Sequence, residues 1–72
     1  MLMATLNELR EQAGLSLSEL ARRANVDYKT MKKAIDQTAS IQRIKAIALL
    51  RVIEQELGQT IKIEDVDKLK TH

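Results

Sequence analysis

The sequence contains no cysteine and no proline, only two glycines and a single aromatic residue, Tyr28. Without cysteine there is no disulfide framework and no zinc finger of the usual kind. No stretch is apolar for long enough to serve as a signal peptide or a membrane span, so the expected location is cytoplasmic and no membrane partner is expected. The scarcity of proline and glycine favours helices joined by short turns, and the expected fold class is all-α.

The chain length sets a limit on the size of the core. A chain of 72 residues is short enough to form one small domain, and a domain of this size buries only about 60% of the surface that its unfolded chain exposes. Self-association would add stability to such a chain. No internal repeat, low-complexity segment or linker divides the sequence, so residues 1–72 are expected to form a single domain.

The formal net charge of +2 conceals a strongly basic centre. Residues 1–21 and 52–72 each carry a net charge of −2, whereas residues 22–51 contain eight basic and two acidic residues, a net charge of +6. Neutralisation of phosphates with release of counterions supplies most of the non-specific affinity for nucleic acids. A basic centre between acidic flanks therefore indicates a nucleic-acid footprint. On charge alone, a merely solvated basic surface is the alternative.

Cap residues and apolar spacing predict short helices in the first half of the chain. Thr5 and Glu8 have the spacing of a capping box at the start of a helix over residues 5–13, and the glycine that follows can end this helix. Ser16 can accept a hydrogen bond from the next turn and so begins a second helix over residues 17–24.

A third helix is predicted over residues 28–35. Asn25 before it tolerates a left-handed backbone, and the Asp27 side chain can cap its first turn. Met31 and Ile35 lie four residues apart and share one face of this helix. The opposite face is basic and carries three lysines, Lys29, Lys32 and Lys33.

Tyr28 lies at the border of that basic face. A first-turn tyrosine beside lysines can offer its hydroxyl to a phosphate or its ring to a thymine methyl group. The alternative is that the ring packs on the edge of the domain and leaves only the hydroxyl in water. Two short helices joined by a tight turn, the second with a basic outer face, are typical of a helix-turn-helix.

Residues 6–35, LNELREQAGLSLSELARRANVDYKTMKKAI, resemble the helix-turn-helix domain of Cro and the phage repressors, the XRE family. The residues that carry the resemblance are Leu9, Arg10, Gly14, Leu15, Ser16, Leu20, Ala21, Ala24, Val26, Thr30 and Met31. The resemblance implies a compact, lambda-repressor-like bundle of about five helices that contains a helix-turn-helix. It covers about half of the chain clearly and the rest loosely.

The resemblance also implies roles for individual residues. In this family the second helix of the motif enters the major groove, while the first lies across the DNA backbone. Base-reading roles are thereby implied for Tyr28, Lys29 and Lys33. Contacts with DNA phosphates are implied for Ser16, Thr30, Lys32, Gln42 and Arg43. Because lysine can donate to O6 or N7 of guanine, a half-site that contains guanine is expected.

The sequence departs from the family pattern at two informative positions. Leu17 stands where the family usually has a glutamine that helps to clamp a phosphate, so that contact is lost here. Asp36 lies one position later than the acidic residue of the family. This shift leaves open whether Asp36 forms the internal ion pair with Arg10 that is common in the family.

A fourth helix is predicted from a cap at Ser40 to Leu57, with Gly58 ending it. This helix is apolar on two faces, so both faces must be covered. One stripe, expected to pack on the second and third helices, contains Ile41, Ile44, Ile47 and Ala48. The other stripe, on nearly the opposite side, contains Ala46, Leu49, Leu50, Ile53 and Leu57.

The second stripe is too long for the small motif to cover. In the tail, Ile61 and Ile63 alternate and Val66 and Leu69 lie three apart, which predicts a short extended piece and then a fifth helix. We expect the tail to cover part of the stripe and a second copy of the chain to cover the rest, with residues 49–72 contributing to dimerisation. Ordinary packing within one chain is the alternative. The residues predicted at the homodimer interface are Leu49, Leu50, Ile53, Leu57, Ile61 and Ile63.

Residues for catalysis are scarce in this sequence. The only histidine is His72, cysteine is absent, and the serines are expected to have no neighbouring base. No nucleophile or metal-binding constellation can be assembled from these residues. We therefore expect no enzyme activity, no cofactor, no metal and no small-molecule substrate.

The leading hypothesis is a DNA-binding transcriptional regulator, in its simplest form a repressor, that occupies a palindromic operator in double-stranded DNA as a homodimer. Small phage, plasmid and restriction-modification regulators act in this way. The alternative is a protein-interaction module whose partner covers the fourth helix, such as the antitoxin of a toxin–antitoxin pair. Salt dependence separates the two, because phosphate-driven binding weakens steeply with salt and apolar pairing does not.

Overall fold

Four α-helices make up most of the computed structural model, which describes residues 4–72. They are α1 (Leu6–Ala13), α2 (Leu17–Ala24), α3 (Tyr28–Asp36) and α4 (Arg43–Leu57). The first three begin and end within one residue of their predicted bounds, and the expectation of a compact, mostly helical chain is confirmed for these residues. α4 is the longest with 15 residues, and no helix in residues 4–72 is both long and apolar enough to cross a bilayer.

α1 begins at the predicted capping box. The Thr5 hydroxyl accepts a hydrogen bond from the Glu8 N–H at 3.2 Å, and Glu8 Oε1 accepts one from the Thr5 N–H at 3.0 Å. The helix ends at Gly14, whose φ of 71° lies in the left-handed region that glycine adopts at little cost. Interactions between residues close in sequence therefore fix both ends of α1, a side-chain capping box at its start and a left-handed glycine at its end.

The capping box also makes the stability of the fold depend on pH. Hydrogen bonds from the Thr5 backbone and then from its hydroxyl lower the pKa of the Glu8 carboxyl below its ordinary value. A carboxyl whose pKa is lower in the folded state than in the unfolded state stabilises the fold at neutral pH. This contribution is lost as the pH falls through the folded-state pKa.

We expect Glu8→Ala to lower the melting temperature at neutral pH and to lower it less at an acidic pH below the folded-state pKa of Glu8, where the wild-type carboxyl is also protonated. Thermal unfolding followed by circular dichroism at both pH values measures the difference. Glu11→Ala removes an exposed carboxylate from the same helix and is the matched control. A Glu8→Ala deficit of the same size at both pH values would contradict a role for the carboxylate charge.

α2 and α3 are joined by residues 25–27, and capping interactions surround this turn as predicted. Ser16 begins α2, where its hydroxyl accepts from the Glu19 N–H at 3.1 Å. Asn25 ends α2 in the left-handed region with a φ of 56°. Asp27 begins α3, where its carboxylate accepts from the Thr30 N–H at 3.3 Å. These interactions fix where α2 begins and ends and where α3 begins.

α4 begins three residues after the predicted cap at Ser40. Its N-cap residue is Gln42, which makes no side-chain capping hydrogen bond. The Arg43 N–H instead donates to the backbone oxygen of His72 at 3.1 Å, and the His72 N–H donates to the Ile41 oxygen at 3.0 Å. The tail of the chain thus replaces a side-chain cap at this helix end. The predicted end of the helix at Gly58 is confirmed.

A single apolar core joins the helices, with α4 packed against α1 and α2. The side chains that lose all contact with water in this core include Leu9, Leu20, Met31, Leu49 and Ile53. Within residues 4–72 no buried polar side-chain atom lacks a hydrogen-bond partner. The core is therefore apolar throughout, as expected for a domain that depends mainly on hydrophobic burial.

The structure corrects the assignment of the predicted dimer interface. Four of its six residues are at most 4% exposed in the single chain and belong to its core, namely Leu49, Leu50, Ile53 and Ile61. They are not a surface on which a second copy can pack. Leu57 and Ile63 are half-buried and also pack against this core. The alternative, ordinary packing within one chain, is the correct description of this stripe.

The opposite stripe of α4 is partly open to solvent, although it was expected to pack on α2 and α3. Ile44 is 75% exposed, while Ile47 and Ala48 are half-buried. Only Ile41, which precedes the helix, is fully inside the core at 1% exposure. A chain this small forms one core on one side of α4, so the other side of the helix remains at the surface.

The tail does not form the predicted fifth helix. Ile63–Asp65 form one 3₁₀ turn, and the following strand β2 (Val66–Asp67) pairs in parallel with β1 (Ala4–Thr5). Further along, Thr71 pairs with Ile41 in a parallel bridge. The apolar spacing in the tail therefore reflects an extended segment that places side chains against the core as it runs beside β1 and then beside Ile41.

Candidate nucleic-acid interface

α3 separates its apolar and basic residues as the sequence predicted. Met31, Ala34 and Ile35 are buried, which fixes the rotation of the helix about its own axis. Lys29 and Lys33 are consequently exposed on the other side. Because the inward residues belong to the core, the position of these two lysines is set by packing and not by flexible loops.

Tyr28 lies in the first turn of α3 and is 44% exposed. It lines a depression together with Lys29, Lys32, Lys33, Asp36 and Thr38. The structure thus brings the three predicted base-reading residues, Tyr28, Lys29 and Lys33, to the same part of the surface. The single aromatic ring of the chain stays accessible and is available to a ligand.

Lys32 differs from its two lysine neighbours because it has an acidic partner. Its Nζ lies 2.7 Å from Asp36 Oδ2 and 2.9 Å from Oδ1, one helical turn away. An exposed pair of this kind stabilises a protein by only about 0–1 kcal/mol. The other ion pair within residues 4–72 joins Arg23 to Glu56, so Lys29 and Lys33 take part in neither pair.

A second depression lies between α3 and the start of α4. Its polar lining consists of Thr30, Lys33, Ser40, Gln42, Lys45 and His72. Lys33 lines both depressions, so they adjoin at this residue. Two predicted phosphate contacts, Thr30 and Gln42, therefore lie beside a predicted base-reading lysine. We call Tyr28, Lys29, Lys33 and Lys45 the basic surface.

Sequence reasoning missed Lys45 as a site residue. This lysine lies in the first turn of α4 and is brought beside Lys33 by the packing of two helices. The sequence shows only that Lys45 belongs to the basic segment over residues 22–51. It does not show which basic residues of this segment lie close together in the fold.

Two predicted phosphate contacts lie away from both depressions. The Ser16 hydroxyl caps α2, and Ser16 lines neither depression. Arg43 lines a different depression, beside Ile47 and Arg51 and facing the tail. Of the five predicted phosphate contacts, the structure therefore gathers Thr30, Lys32 and Gln42 around Lys33 and leaves the other two apart.

Arg10 does not pair with Asp36, which answers the question left open by the sequence. Its guanidinium donates to Asn7 Oδ1 at 2.9 and 3.1 Å and to the Leu15 carbonyl at 2.7 Å. The carboxylate of Asp36 accepts from Lys32 instead. Arg10 thus ties α1 to the turn before α2, and the charge of Asp36 stays at the edge of the candidate interface.

The structure corrects the expectation that the serines have no neighbouring base. Ser40 Oγ lies 2.7 Å from His72 Nδ1, so this serine does have an imidazole beside it, supplied from 32 residues further along the chain. Both residues are exposed. No group of three potential metal ligands occurs among the His, Cys, Asp and Glu residues of positions 4–72. The contact joins the tail to the start of α4 at the edge of the basic surface.

Comparison with known proteins provides no independent information about the function of this surface. The resemblance to the XRE family rests on the residues between positions 6 and 35 and stays a prediction. No family model matches the chain, and neither the curated proteins nor the solved structures provide a match.

Proposed function

We propose that this protein is a sequence-specific DNA-binding regulator of the helix-turn-helix type, a repressor that occupies a palindromic operator as a homodimer. The observation that carries the proposal is the outer side of α3, where Tyr28, Lys29 and Lys33 are exposed together. Neither lysine takes part in an ion pair with another residue in positions 4–72. Lysines without an ion-pair partner can bind the phosphates of a nucleic acid, and an accessible aromatic ring beside them can contact its bases.

The dimensions of α3 support a place in the major groove. An α-helix with its side chains is about 10–12 Å across, which matches the width of about 12 Å of the major groove of B-DNA. The nine residues of α3 extend about 13 Å along the groove at 1.5 Å per residue. In this arrangement α2 crosses the DNA backbone and α3 presents the residues of its first turn to base edges. Tyr28 and Lys29 then read bases directly, and Lys33 reaches the groove one turn further along.

Contacts with the DNA backbone set the register of α3 in the groove. The second depression provides Thr30, Gln42 and Lys45 beside Lys33, which are hydroxyl, amide and ammonium donors for phosphate oxygens. Lys45 is added to the phosphate contacts on this basis. Ser16, whose hydroxyl oxygen already accepts a hydrogen bond at the start of α2, retains its own hydrogen for donation to a phosphate.

The first experiment is selection of bound duplexes from a random DNA pool at physiological salt. We expect enrichment of an inverted repeat with half-site centres about 10 base pairs apart, and a changed consensus for Tyr28→Ala and for Lys29→Ala. Lys68→Asn is the matched control, because it removes one lysine charge near Glu8 and leaves α3 unaltered. Asparagine also tolerates the φ of 61° at this position. Absence of any enriched sequence would rule out base reading by α3.

A further inference from the structure

Ile44 is an apolar side chain that the described part of the chain, residues 4–72, does not cover. It is 75% exposed, more than Tyr28, the other large exposed hydrophobic residue within positions 4–72. Ile47 and Ala48 lie three and four positions further along α4 and are half-buried on the same side of the helix. We call Ile44, Ile47, Ala48 and Arg51 the outer face of α4. Isolated exposed apolar residues are common, but a continuous apolar strip on one helix face indicates an interaction surface.

The outer face continues into a depression formed with the tail. Ile47 and Ile63 line this depression, and so the apolar strip extends beyond α4. Charges of both signs surround it, with Arg43, Arg51 and Lys62 as cations and Glu54 and Glu64 as anions. Glu54 is held in place because its Oε2 accepts a hydrogen bond from the Ile61 N–H at 2.6 Å. The surface therefore has an apolar centre and a rim that carries both charges at defined positions.

We infer that the outer face of α4 is the surface on which a second copy of this chain docks. A surface that carries both charges can be complementary to itself, because a twofold rotation brings the same patch of each copy together. In an antiparallel crossing of two α4 helices near Ala48, the end that carries Arg43 in one copy meets the end that carries Glu54 in the other. Ile44 and Ile47 of both copies then lie between these charges.

A stable dimer sets the area that a second copy must cover. Stable interfaces bury about 800 Å² on each partner, which is roughly a fifth of the 4451 Å² of accessible surface on this chain. A flat side of a molecule measuring 26 × 22 × 18 Å is smaller than this area, so a second copy would have to cover the whole of one side with its surface relief. A second copy would therefore use α4 and the adjoining tail, and would leave the other sides of the chain free.

The docking surface adds the dimer interface to the proposed function, and its relation to DNA rests on that proposal. Ile44 and Lys45 are neighbours in the first turn of α4, so the docking surface adjoins the basic surface without including Lys29 or Lys33. Docking through the outer face of α4 would therefore leave Lys29 and Lys33 of both copies uncovered. Recognition of two half-sites separated by about one turn of DNA, roughly 34 Å, requires such an arrangement.

The test is the oligomeric state of the full chain without DNA, measured by sedimentation equilibrium over a range of concentrations. We expect the wild type to form a dimer and Ile44→Lys to raise the dissociation constant at least tenfold, because two lysine charges would meet in the apolar centre. Gln12→Lys adds the same charge to an exposed position of α1 and should leave the dimer unchanged. A wild type that stays monomeric, or an Ile44→Lys variant that associates as tightly as wild type, would overturn the inference.

Ile44→Ala provides a second variant that introduces no charge. It should weaken the dimer less than Ile44→Lys does, and circular dichroism should show an unchanged helical content for both variants. Binding of Ile44→Lys to a single half-site duplex distinguishes the two proposals. A monomer that still binds the half-site supports both, whereas a monomer that binds no DNA supports the docking surface and overturns the proposed function.

Discussion

Replacement of Ile53 by alanine is expected to lower the free energy of unfolding by about 2–5 kcal/mol, the range for large-to-small substitutions in a core. Ile53 is 0% exposed in the single chain, so the substitution leaves a cavity among residues of the same molecule. A domain of 72 residues has a total stability of roughly 4–11 kcal/mol at 0.05–0.15 kcal/mol per residue. The variant should therefore be close to unfolding at room temperature.

The concentration dependence of unfolding distinguishes a core role from an interface role for Ile53. Urea denaturation at two protein concentrations should show the same loss of stability at both, because the cavity forms within one chain. Gln55→Ala lies on the same helix at an exposed position and should change stability by less than about 0.5 kcal/mol. Recovery of wild-type stability by Ile53→Ala at high protein concentration would instead place Ile53 between copies of the chain.

The first three helices were predictable because local side chains fix their ends. Thr5, Ser16 and Asp27 each accept a hydrogen bond from an amide three residues later. Such interactions depend only on residues close in sequence, and so a single sequence contains the information. The start of α4 was not predictable in this way. Its first amide bonds to the backbone of residue 72, which no local pattern indicates.

The tail was predicted as a helix because Val66 and Leu69 have helical spacing. In the structure Val66 is buried, and its position comes from pairing with Ala4 in two-residue strands. An alternation that short cannot be told from helical spacing by periodicity alone. The deciding interaction joins residues about 60 positions apart in the printed sequence, and a periodic pattern carries no information on such pairing.

The two apolar stripes of α4 were recognisable from the sequence, but their roles were exchanged. Helical periodicity gives the angle between Ile44 and Ile53 around the helix axis, and it does not say which of them faces the other helices. That choice is made by the packing of α4 on α1 and α2, which buries Leu49 and Ile53 completely. The same packing explains why, within residues 4–72, the outer face of α4 with Ile44 stays exposed.

The candidate site was predictable where it lies on one helix and not where two helices meet. Burial of Met31 and Ile35 necessarily turns Lys29 and Lys33 outward, so the sequence contained this part of the basic surface. Lys45 comes beside Lys33 only through the relative positions of α3 and α4.

Lys33→Ala is expected to have the largest effect on sequence discrimination by this protein. Lys33 lines both depressions and so lies between the residues proposed to read bases and those proposed to contact phosphates. Loss of a good base contact costs about 1–3 kcal/mol of discrimination between the correct and the wrong base. The measurement is the affinity for the selected operator and for variants with single base changes, at several salt concentrations. The variant should bind all of these duplexes more nearly alike than the wild type does.

Lys32 provides the comparison on the same helix. Lys32→Ala should weaken binding to every duplex alike and reduce the slope of log affinity against log salt by about 1, as expected for one lost phosphate contact. Asp36→Asn separates this contact from the ion pair, since it frees Lys32 Nζ from a carboxylate 2.7 Å away. That variant should strengthen non-specific binding without a change of consensus. If Lys33→Ala instead lowered the affinity for all duplexes equally, Lys33 would be a phosphate contact, and base reading would be left to Tyr28 and Lys29.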